Sequence, residues 1–214
     1  MSEPVRYRDF GAVGDGKTDD LAAIHRAHVF ANEQGRPVKA DDQATYYLGR
    51  AATTVPIQTD TDWGEASFII DDTDVVDRTA HVFEVASAHE PIELTGVESL
   101  AEGQVRLNVE LPRPAVVVVV DDSVKRFIRR GRNQNSGKPQ TDVIVIDANG
   151  RVDEQTPILW DFEQISEITA YPIDDKPLTI RGGRFTTIAN AAESKYTYYS
   201  RGIAIRRSRV VIEG

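Results

Sequence analysis

Along most of the chain, hydrophobic and polar residues alternate with a period of two, which is typical of half-buried β-strands. The runs are short, and turns rich in Asp, Asn, Gly and Pro separate them. We predict strands at 5–10, 45–48, 55–58, 67–70, 81–85, 104–111, 115–120, 143–146, 158–162, 167–171, 178–180 and 203–205. The pattern therefore predicts a predominantly β structure.

One segment near the N-terminus follows the helical period instead. Its apolar positions recur every three or four residues and form one narrow stripe, made of Leu21, Ile24, Ala27, His28 and Ala31. Thr18 or Asp19 is a suitable N-cap, and Gly35 stands where a C′ glycine would end the helix. The glycines before it, at 11, 14 and 16, predict a turn-rich loop. We predict a helix between Asp19 and Gly35 that lies flat against a neighbouring element.

The end of the chain contains an internal repeat. A shift of 25 residues superposes 178–185 on 203–210, with one Ile and two Arg identical in the two copies. A period of this length indicates a solenoid, in which each coil buries its inner face against its neighbours. Because the sequence stops directly after the second copy, we expect it to be the N-terminal part of a longer protein.

The sequence DFGAVGDGKTDD at 9–20 resembles the opening of right-handed parallel β-helix proteins of the pectate-lyase superfamily, which include polygalacturonase-like and polysaccharide-lyase members. A weaker likeness continues in WGEASFIIDD at 63–72. The resemblance implies that the helix caps the N-terminal end of the β-helix and that the motif is structural rather than catalytic. A cap is physically reasonable because an uncovered coil exposes unpaired strand edges.

We therefore predict an all-β fold, a right-handed parallel β-helix with an N-terminal capping α-helix and a truncated C-terminus. Residues 1–40 are predicted to form the first strand, the motif loop and the capping helix, and 41–85 the first coils. Residues 86–176 show no period and are predicted as an irregular or inserted β region. Residues 177–214 are predicted to return to coils with the 25-residue repeat.

A phosphate-loop pattern also fits the N-terminal motif, through Gly11, Gly16, Lys17 and Thr18. The apolar run 116–120, followed by Asp121 and Asp122, looks like the strand that holds Mg²⁺ in phosphate-loop NTPases. Against this interpretation, the preceding VRYRDF is polar where a central parallel strand is continuously apolar. Helices also do not alternate with the later strands. We keep a phosphate-loop NTPase as an alternative.

Composition narrows the classes of function. The formal net charge of −9 argues against sequence-independent nucleic-acid binding. No apolar run approaches the roughly 20 residues of a membrane span, and the first residues lack the apolar core of a secretory signal. The absence of cysteine excludes disulfides and thiolate metal sites. We expect no nucleic-acid or membrane partner, and an extracellular or periplasmic location with a signal that is not present in this chain.

Charge is concentrated in two blocks. The acidic block lacks Lys and Arg and contains Asp60, Asp62, Glu65, Asp71, Asp72, Asp74 and Asp77. Its carboxylate oxygens are suitable ligands for Ca²⁺, although the spacing of the residues does not match an EF-hand loop. The basic block lacks acids and contains Lys125, Arg126, Arg129, Arg130, Arg132 and Lys138. A solvated acidic turn and a solvated basic loop are the simpler interpretations. We predict no metal site and no cofactor, with Ca²⁺ left open.

The guanidinium of arginine can form two parallel hydrogen bonds to one carboxylate, so the basic block is suited to binding a uronic-acid polymer. We predict that the residues binding it are Arg126, Arg129, Arg130 and Arg132. The histidines His25 and His28 lack a third metal ligand nearby, which favours packing against the core over zinc binding. Core packing is also the simpler interpretation for the aromatic residues able to stack on sugars, which are Trp63, Trp160, Tyr196, Tyr198 and Tyr199.

The resemblance implies an exported carbohydrate-active enzyme, a polysaccharide lyase or glycoside hydrolase acting on polysaccharide, and acidic polyuronate fits the basic block. The family's N-T-D, D-D and G-H-G segments are not found as a set, and no opposed carboxyl pair can be assigned. The catalytic residues are therefore unknown and expected outside this chain, which we expect to be inactive alone. A non-catalytic glycan-binding or structural module, such as a tailspike or adhesin stem, is the alternative. An unfinished sheet edge adds an expectation of homo-oligomers.

Overall fold

The computed structural model describes residues 2–75, 77, 80–128, 137–190, 193 and 201–214. Over these residues the chain has fourteen strands, one α-helix and one 3-10 helix, so the predicted all-β character is confirmed. No helix in these ranges is long and apolar enough to cross a membrane. In chain order the elements are β1 (Val5–Arg6), η1 (Tyr7–Phe10), β2 (Asp15–Asp19), α1 (Leu21–Gln34), β3 (Val38–Lys39), β4 (Thr45–Leu48), β5 (Val55–Ile57), β6 (Thr61–Asp71), β7 (Phe83–Ala86), β8 (Ile92–Glu93), β9 (Ala115–Arg126), β10 (Lys138–Ile146), β11 (Glu167–Pro172), β12 (Leu178–Ile188), β13 (Ile203–Arg206) and β14 (Val210–Glu213).

The chain divides into two compact units. The first unit contains Met1–Ala88 and Asp174–Gly214, and the second contains His89–Ile173. The sequence predicts an irregular or inserted β region at 86–176, and the second unit occupies nearly the same stretch. In the first unit, Ser87 Oγ donates to Asp174 Oδ1 at 3.0 Å, so the two points at which the chain leaves and re-enters this unit lie side by side.

Strands in the first unit pair in parallel. One sheet has the order β1-β3-β6-β12-β14, with β4 and then β2 joined to β6, and another has the order β13-β7-β5. Residues in register stack across the strands, as in the row Val5, Val38, Thr61, Ile180 and Ile212. The first four of these side chains are buried. Parallel strands are usually covered on at least one face by apolar side chains, and this row forms part of that core.

Aromatic side chains fill much of the same core. Tyr46, Phe68 and Phe185 are in register on β4, β6 and β12. The rings of Phe68 and Phe185 stack with 4.9 Å between centroids and an interplanar angle of 11°. Trp63 packs edge-on against both Phe68 and Phe185. The apolar alternation seen in the sequence therefore becomes a column of stacked rings, which favours one register over its neighbours.

A pair of glycines marks the point where β6 and β12 change direction. Gly64 and Gly182 are paired in register, next to irregularities in the ladder. Both have positive φ, 49° and 70°, which glycine adopts without steric cost. A Cβ on Gly182 would lie 2.3 Å from the carbonyl oxygen of Gly64. The two backbones therefore approach each other at a distance that excludes any other residue at Gly182.

The predicted helix is confirmed. It begins at Leu21 and ends at Gln34, and Gly35 follows with φ 59°, as a C′ glycine does. It packs against η1 and β5. The predicted apolar stripe is the face that it buries, with Leu21, Ile24, Ala27, His28 and Ala31 all buried.

The second unit is built on an antiparallel sheet with the order β10-β9-β11-β8. One face of the run 115–120 enters its core, through Ala115, Val117 and Val119, which are fully buried. These residues pack with Ile144, Ile146 and Ala170 in a core separate from that of the first unit. The continuous apolar run therefore belongs to an antiparallel strand with one face in the core.

Four features of the sequence interpretation are wrong. The strand predicted at 5–10 ends at Arg6, because Tyr7–Phe10 form a 3-10 helix. The glycine-rich segment predicted as a loop contains the strand β2, which pairs with β4. The runs 104–111 and 158–162 form isolated bridges rather than strands. The 25-residue shift is not the register of the strands, because Leu178 pairs with Val210. Ile203, which that shift places on Leu178, pairs with Phe83 in another sheet.

Candidate functional site

The basic block lies at the end of a β-hairpin in the second unit. β9 ends at Arg126 and β10 begins at Lys138, and these two residues pair with each other. Lys125 and Lys138 are exposed, whereas Arg126 is half-buried. The other three arginines predicted to bind substrate lie outside the described residues; they are Arg129, Arg130 and Arg132. Of the predicted substrate-binding set, the structure therefore places Arg126, with two lysines next to it.

Arg126 is held in place on its edge and on its face. Its Nε and Nη2 donate to the side-chain oxygen of Gln140, at 2.9 and 2.6 Å. Its guanidinium carbon lies 4.0 Å from the centroid of the Trp160 ring. The side-chain nitrogen of Gln140 donates to the backbone oxygen of Asp161 at 2.9 Å, and this bond orients the amide. Trp160 therefore supports an arginine, which occupies one of the ring faces proposed for sugar stacking.

The carboxylates of Asp121 and Asp161 accept hydrogen bonds from groups other than Arg126. Asp121 is buried and pairs in register with Gln140. Hydrogen bonds from the Ser123 side chain and backbone, aided by Lys125, lower the pKa of Asp121. The carboxylate of Asp161 accepts a bond from the Glu102 amide. The end of this strand pair thus presents a fixed guanidinium and two exposed ammonium groups, which can bind anions electrostatically and orient a planar carboxylate.

The acidic block is divided between the two ends of β6, so its members do not converge. Asp60 and Asp62 lie at the beginning of the strand, and Asp71, Asp72 and Asp74 lie at its end, roughly 30 Å further along the chain direction. One Ca²⁺ ion cannot be coordinated by the whole block. Within the described ranges, no group of three or more His, Asp or Glu side chains is placed to hold a metal ion.

At the end of β6, Asp72 forms a buried ion pair that the sequence did not reveal. Arg201 donates to Asp72 through Nε at 2.6 Å, and its side chain is 1% exposed. The same guanidinium donates to the backbone oxygens of Gly49, Ala51 and Asp71. The two partners are 129 residues apart, so no local pattern could connect them.

Asp71, next to this pair, is also fully engaged. Its carboxylate accepts bonds from Thr73, Tyr47 and Arg50. Burial alone would raise the pKa of Asp71, but these hydrogen bonds outweigh it and hold the pKa well below its usual range. A carboxylate that stays ionised and has its oxygens occupied cannot act as a general acid. We therefore regard this polar cluster as a structural clamp.

The backbone amides of the phosphate-loop-like motif are already bound to carboxylates of the chain. Asp15 Oδ1 accepts bonds from the amides of Lys17 and Thr18, at 2.8 and 2.7 Å. The Asp20 carboxylate accepts bonds from the amides of Val13 and Gly14. These are the donors that a phosphate would need. The Lys17 side chain is exposed.

The second part of the phosphate-loop interpretation also fails on geometry. The run 116–120 and Asp121 belong to an antiparallel sheet of the second unit, whereas the motif belongs to the first unit. In a phosphate-loop NTPase the two segments are strands of one parallel sheet. One α-helix is present over the described part of the chain, instead of an alternation of strands and helices. We do not take nucleotide binding further.

A buried hydrogen-bonded chain joins Trp63, Tyr7 and His28 in the first unit. Trp63 Nε1 donates to Tyr7 Oη at 2.9 Å, and Tyr7 Oη and His28 Nε2 share a hydrogen bond of 2.8 Å. Burial lowers the pKa of His28 to about 3, and burial likewise raises the pKa of Tyr7. His28 is therefore a neutral core residue, as predicted, and Trp63 is buried where no sugar can reach it. The tyrosines proposed for sugar stacking lie outside the described residues; they are Tyr196, Tyr198 and Tyr199.

The described part of the chain thus offers one arrangement suited to binding, at Arg126, and two polar networks that serve the fold. Sequence reasoning found Arg126 through local charge and named Trp160 as an aromatic residue able to stack on sugars. It missed Gln140 and the stacking of Arg126 on Trp160, because these two residues lie 14 and 34 positions beyond Arg126. Comparison with known proteins adds no relative to this description: the chain matches no protein-family model and no curated protein.

Proposed function

We propose that this chain is a right-handed parallel β-helix module that binds acidic polysaccharide, as part of an exported carbohydrate-active protein. The observation that carries the proposal is the repeated route of the chain through the parallel sheets of the first unit. The N-terminal segment DFGAVGDGKTDD, which resembles the opening of pectate-lyase-superfamily proteins, agrees with it. So does the helix that follows this segment and packs against the first strands.

The chain follows the same three steps in succession. β3, β4 and β5 are matched in register by the first half of β6, its second half and β7. These are matched in turn by the first half of β12, its second half and β13. β14 then pairs with the first half of β12. Each return to the same sheet in parallel is what a coil of a β-helix does, and such crossovers are right-handed as a rule.

The basic hairpin supports acidic polysaccharide as the ligand. Its three described cations, Lys125, Arg126 and Lys138, are adjacent on an acidic protein. An extended polyanion gains from several neighbouring cations, and an arginine fork orients a carboxylate better than a lysine does. A uronic-acid polymer carries one carboxylate per sugar and is the polysaccharide class that these groups recognise.

The first candidate for the activity of the exported protein is a lyase or a glycoside hydrolase. The second candidate is a non-catalytic glycan-binding or structural module, and a specific observation favours it. The buried carboxylates at the end of β6, Asp71 and Asp72, are consumed by hydrogen bonds and by the ion pair with Arg201. Neither is available for the acid–base work that glycoside hydrolysis requires. Within this chain the geometry therefore supports binding rather than turnover.

The experiment combines binding and turnover. The purified chain, and any longer protein that contains it, is applied to immobilised polygalacturonate and alginate and then incubated with the soluble polymers. We expect retention at low salt. Ultraviolet-absorbing unsaturated products support a lyase, reducing ends without that absorbance support a hydrolase, and retention alone supports the binding module. Absence of retention on both polymers would contradict the proposal.

A further inference from the structure

Gln140 has an unusual position for a neutral amide, because it is the buried acceptor of a guanidinium. Its side chain lies in the interior of the second unit, and the residue is 2% exposed. Two N–H groups of Arg126 converge on its single side-chain oxygen. The nitrogen of the same amide is fixed by the Asp161 carbonyl, so the oxygen can face only Arg126. The orientation of Arg126 therefore follows from that of Gln140.

Trp160, on whose ring Arg126 stacks, also holds the arginine in place. Trp160 and Asp161 are consecutive, and they hold the arginine through its face and, by way of Gln140, through its edge. An arginine held in this way loses little side-chain entropy when it binds a ligand. Its Nη1 side points away from the Gln140 bonds, and that edge has no acceptor among the described residues.

Two arginines of the described ranges whose side chains are buried, Arg201 and Arg207, are neutralised by carboxylates. Arg201 is paired with Asp72 at 2.6 Å, and Arg207 is paired with Asp174 at 3.4 Å. By contrast, no Asp or Glu in the described ranges lies within 4.0 Å of the Arg126 guanidinium. At each of these two buried arginines a carboxylate compensates the charge. At Arg126 the protein supplies a group that fixes the side chain and leaves its charge uncompensated.

We propose that Gln140 is a positioning residue that keeps Arg126 oriented and positively charged for a carboxylate of the glycan. This inference rests on the proposed function and names the chemistry of the contact. The ligand group is the carboxylate of a uronic-acid unit, which binds through the free edge of the guanidinium. The neutrality of Gln140 is then a requirement for binding and not for folding.

The test compares substitutions that separate charge from orientation. Gln140→Glu places a negative charge on the two Arg126 bonds, and Gln140→Leu removes the bonds but leaves the charge. On immobilised polygalacturonate we expect Gln140→Glu to weaken binding about tenfold or more, as Arg126→Gln does. Gln140→Leu is expected to weaken it only a few-fold. Lys125→Ala, the matched control at a neighbouring exposed cation, should act mainly through the salt dependence of binding.

Folding is monitored separately, by thermal unfolding and by the total tryptophan fluorescence of each variant. If Gln140→Glu and Gln140→Leu are both folded and bind as the wild type does, Gln140 is only a structural residue and the proposal is overturned. Should Gln140→Glu fail to fold, Gln140→Leu and Arg126→Gln decide, and wild-type binding by either overturns the proposal.

The outcome also distinguishes this inference from the proposed function. Retention of the wild type on polygalacturonate without any effect of these variants leaves the function in place and removes the role of Gln140. The wild type could be retained on dextran sulfate alone, with the variants ranked by binding in the same order. The ligand would then not be a uronic acid, but the role of Gln140 in positioning Arg126 would stand. No retention on either polymer overturns both.

Discussion

The burial of His28 makes the stability of the first unit depend on pH. This residue is fully buried and hydrogen-bonded to Tyr7, and burial lowers its pKa from 6.5 to about 3. The unfolded chain takes up a proton near pH 6.5, whereas the folded protein does so only near pH 3. Protonation between these values favours the unfolded state.

We therefore expect the contribution of His28 to the free energy of unfolding to be constant above about pH 6.5 and to fall as the pH drops towards 3. The loss attributable to His28 is on the order of 5 kcal/mol over the full interval. Urea unfolding at several pH values measures it, with His28→Gln as the matched variant because glutamine can still form a hydrogen bond with Tyr7. Equal pH dependence of the two proteins between pH 6.5 and 4.5 would contradict the prediction.

A second residue-scale prediction concerns the close approach at Gly182. Alanine there brings a Cβ to 2.3 Å from the Gly64 oxygen and also has an unfavourable φ of 70°. We expect Gly182→Ala to lower the free energy of unfolding by more than about 3 kcal/mol. Gly35→Ala is the control, because its φ is 59° but no atom lies within 4 Å of the added Cβ. It should cost only about 1 to 2 kcal/mol, so equal losses in the two variants would mean that the contact with Gly64 is not limiting.

At the scale of secondary-structure elements, Arg201 connects the ends of strands that are far apart in the chain. It precedes β13 and binds the turn after β4, through Gly49 and Ala51, and the end of β6, through Asp71 and Asp72. Removing one member of a buried, hydrogen-bonded ion pair leaves the other charge without compensation.

Arg201→Met should therefore destabilise the first unit by about 3 to 5 kcal/mol. The matched control is Arg181→Ala, which breaks the pair with Glu213 at 2.7 Å, where both side chains are about half exposed. An exposed pair of this kind contributes about 1 kcal/mol or less. Thermal unfolding of the two variants measures the difference. A similar small effect for both would show that the Arg201 clamp does not hold these strands.

The element scale also shows what the sequence could and could not predict. Local sequence patterns were sufficient to predict α1, β4 and β11. The signals for these elements, apolar periodicity and the glycine after α1, lie within short stretches of sequence. β2 was missed because Asp15 binds the amides of its own strand, and a glycine-rich segment with such bonds looks like a turn. The registers and the Arg201 clamp depend on partners in distant parts of the chain.

The candidate site follows the same division. The basic block around Arg126 is a local concentration of charge, so the sequence could identify it. The groups that fix Arg126 are Gln140, on the opposite strand, and Trp160, beyond the end of β10. The sequence marks Trp160 only as an aromatic side chain and does not mark Gln140 at all, because the contact of each with Arg126 is made across a distance along the chain.

At the scale of the whole molecule, the two units have separate cores, and the chain of the first unit is interrupted only once. The interruption begins and ends where Ser87 bonds to Asp174, so a short linker can join Ala88 to Asp174. Each unit also contains one of the two tryptophans, Trp63 in the first and Trp160 in the second. The unfolding of each unit can therefore be followed by its own fluorophore.

We expect a variant in which a short Gly-Ser linker replaces residues 89–173 to fold, because every strand of the parallel sheets lies outside the deletion. Trp63 should remain buried, with blue-shifted emission and a cooperative unfolding transition. The same variant should lose retention on polygalacturonate, because Arg126 and its supports are removed with the second unit. The undeleted chain with Trp160→Phe provides the spectroscopic control. If the deletion variant is unfolded, the parallel sheets require the second unit and are not an independent module; if it is folded and still retained, the glycan binds to the first unit and the basic hairpin is not the site.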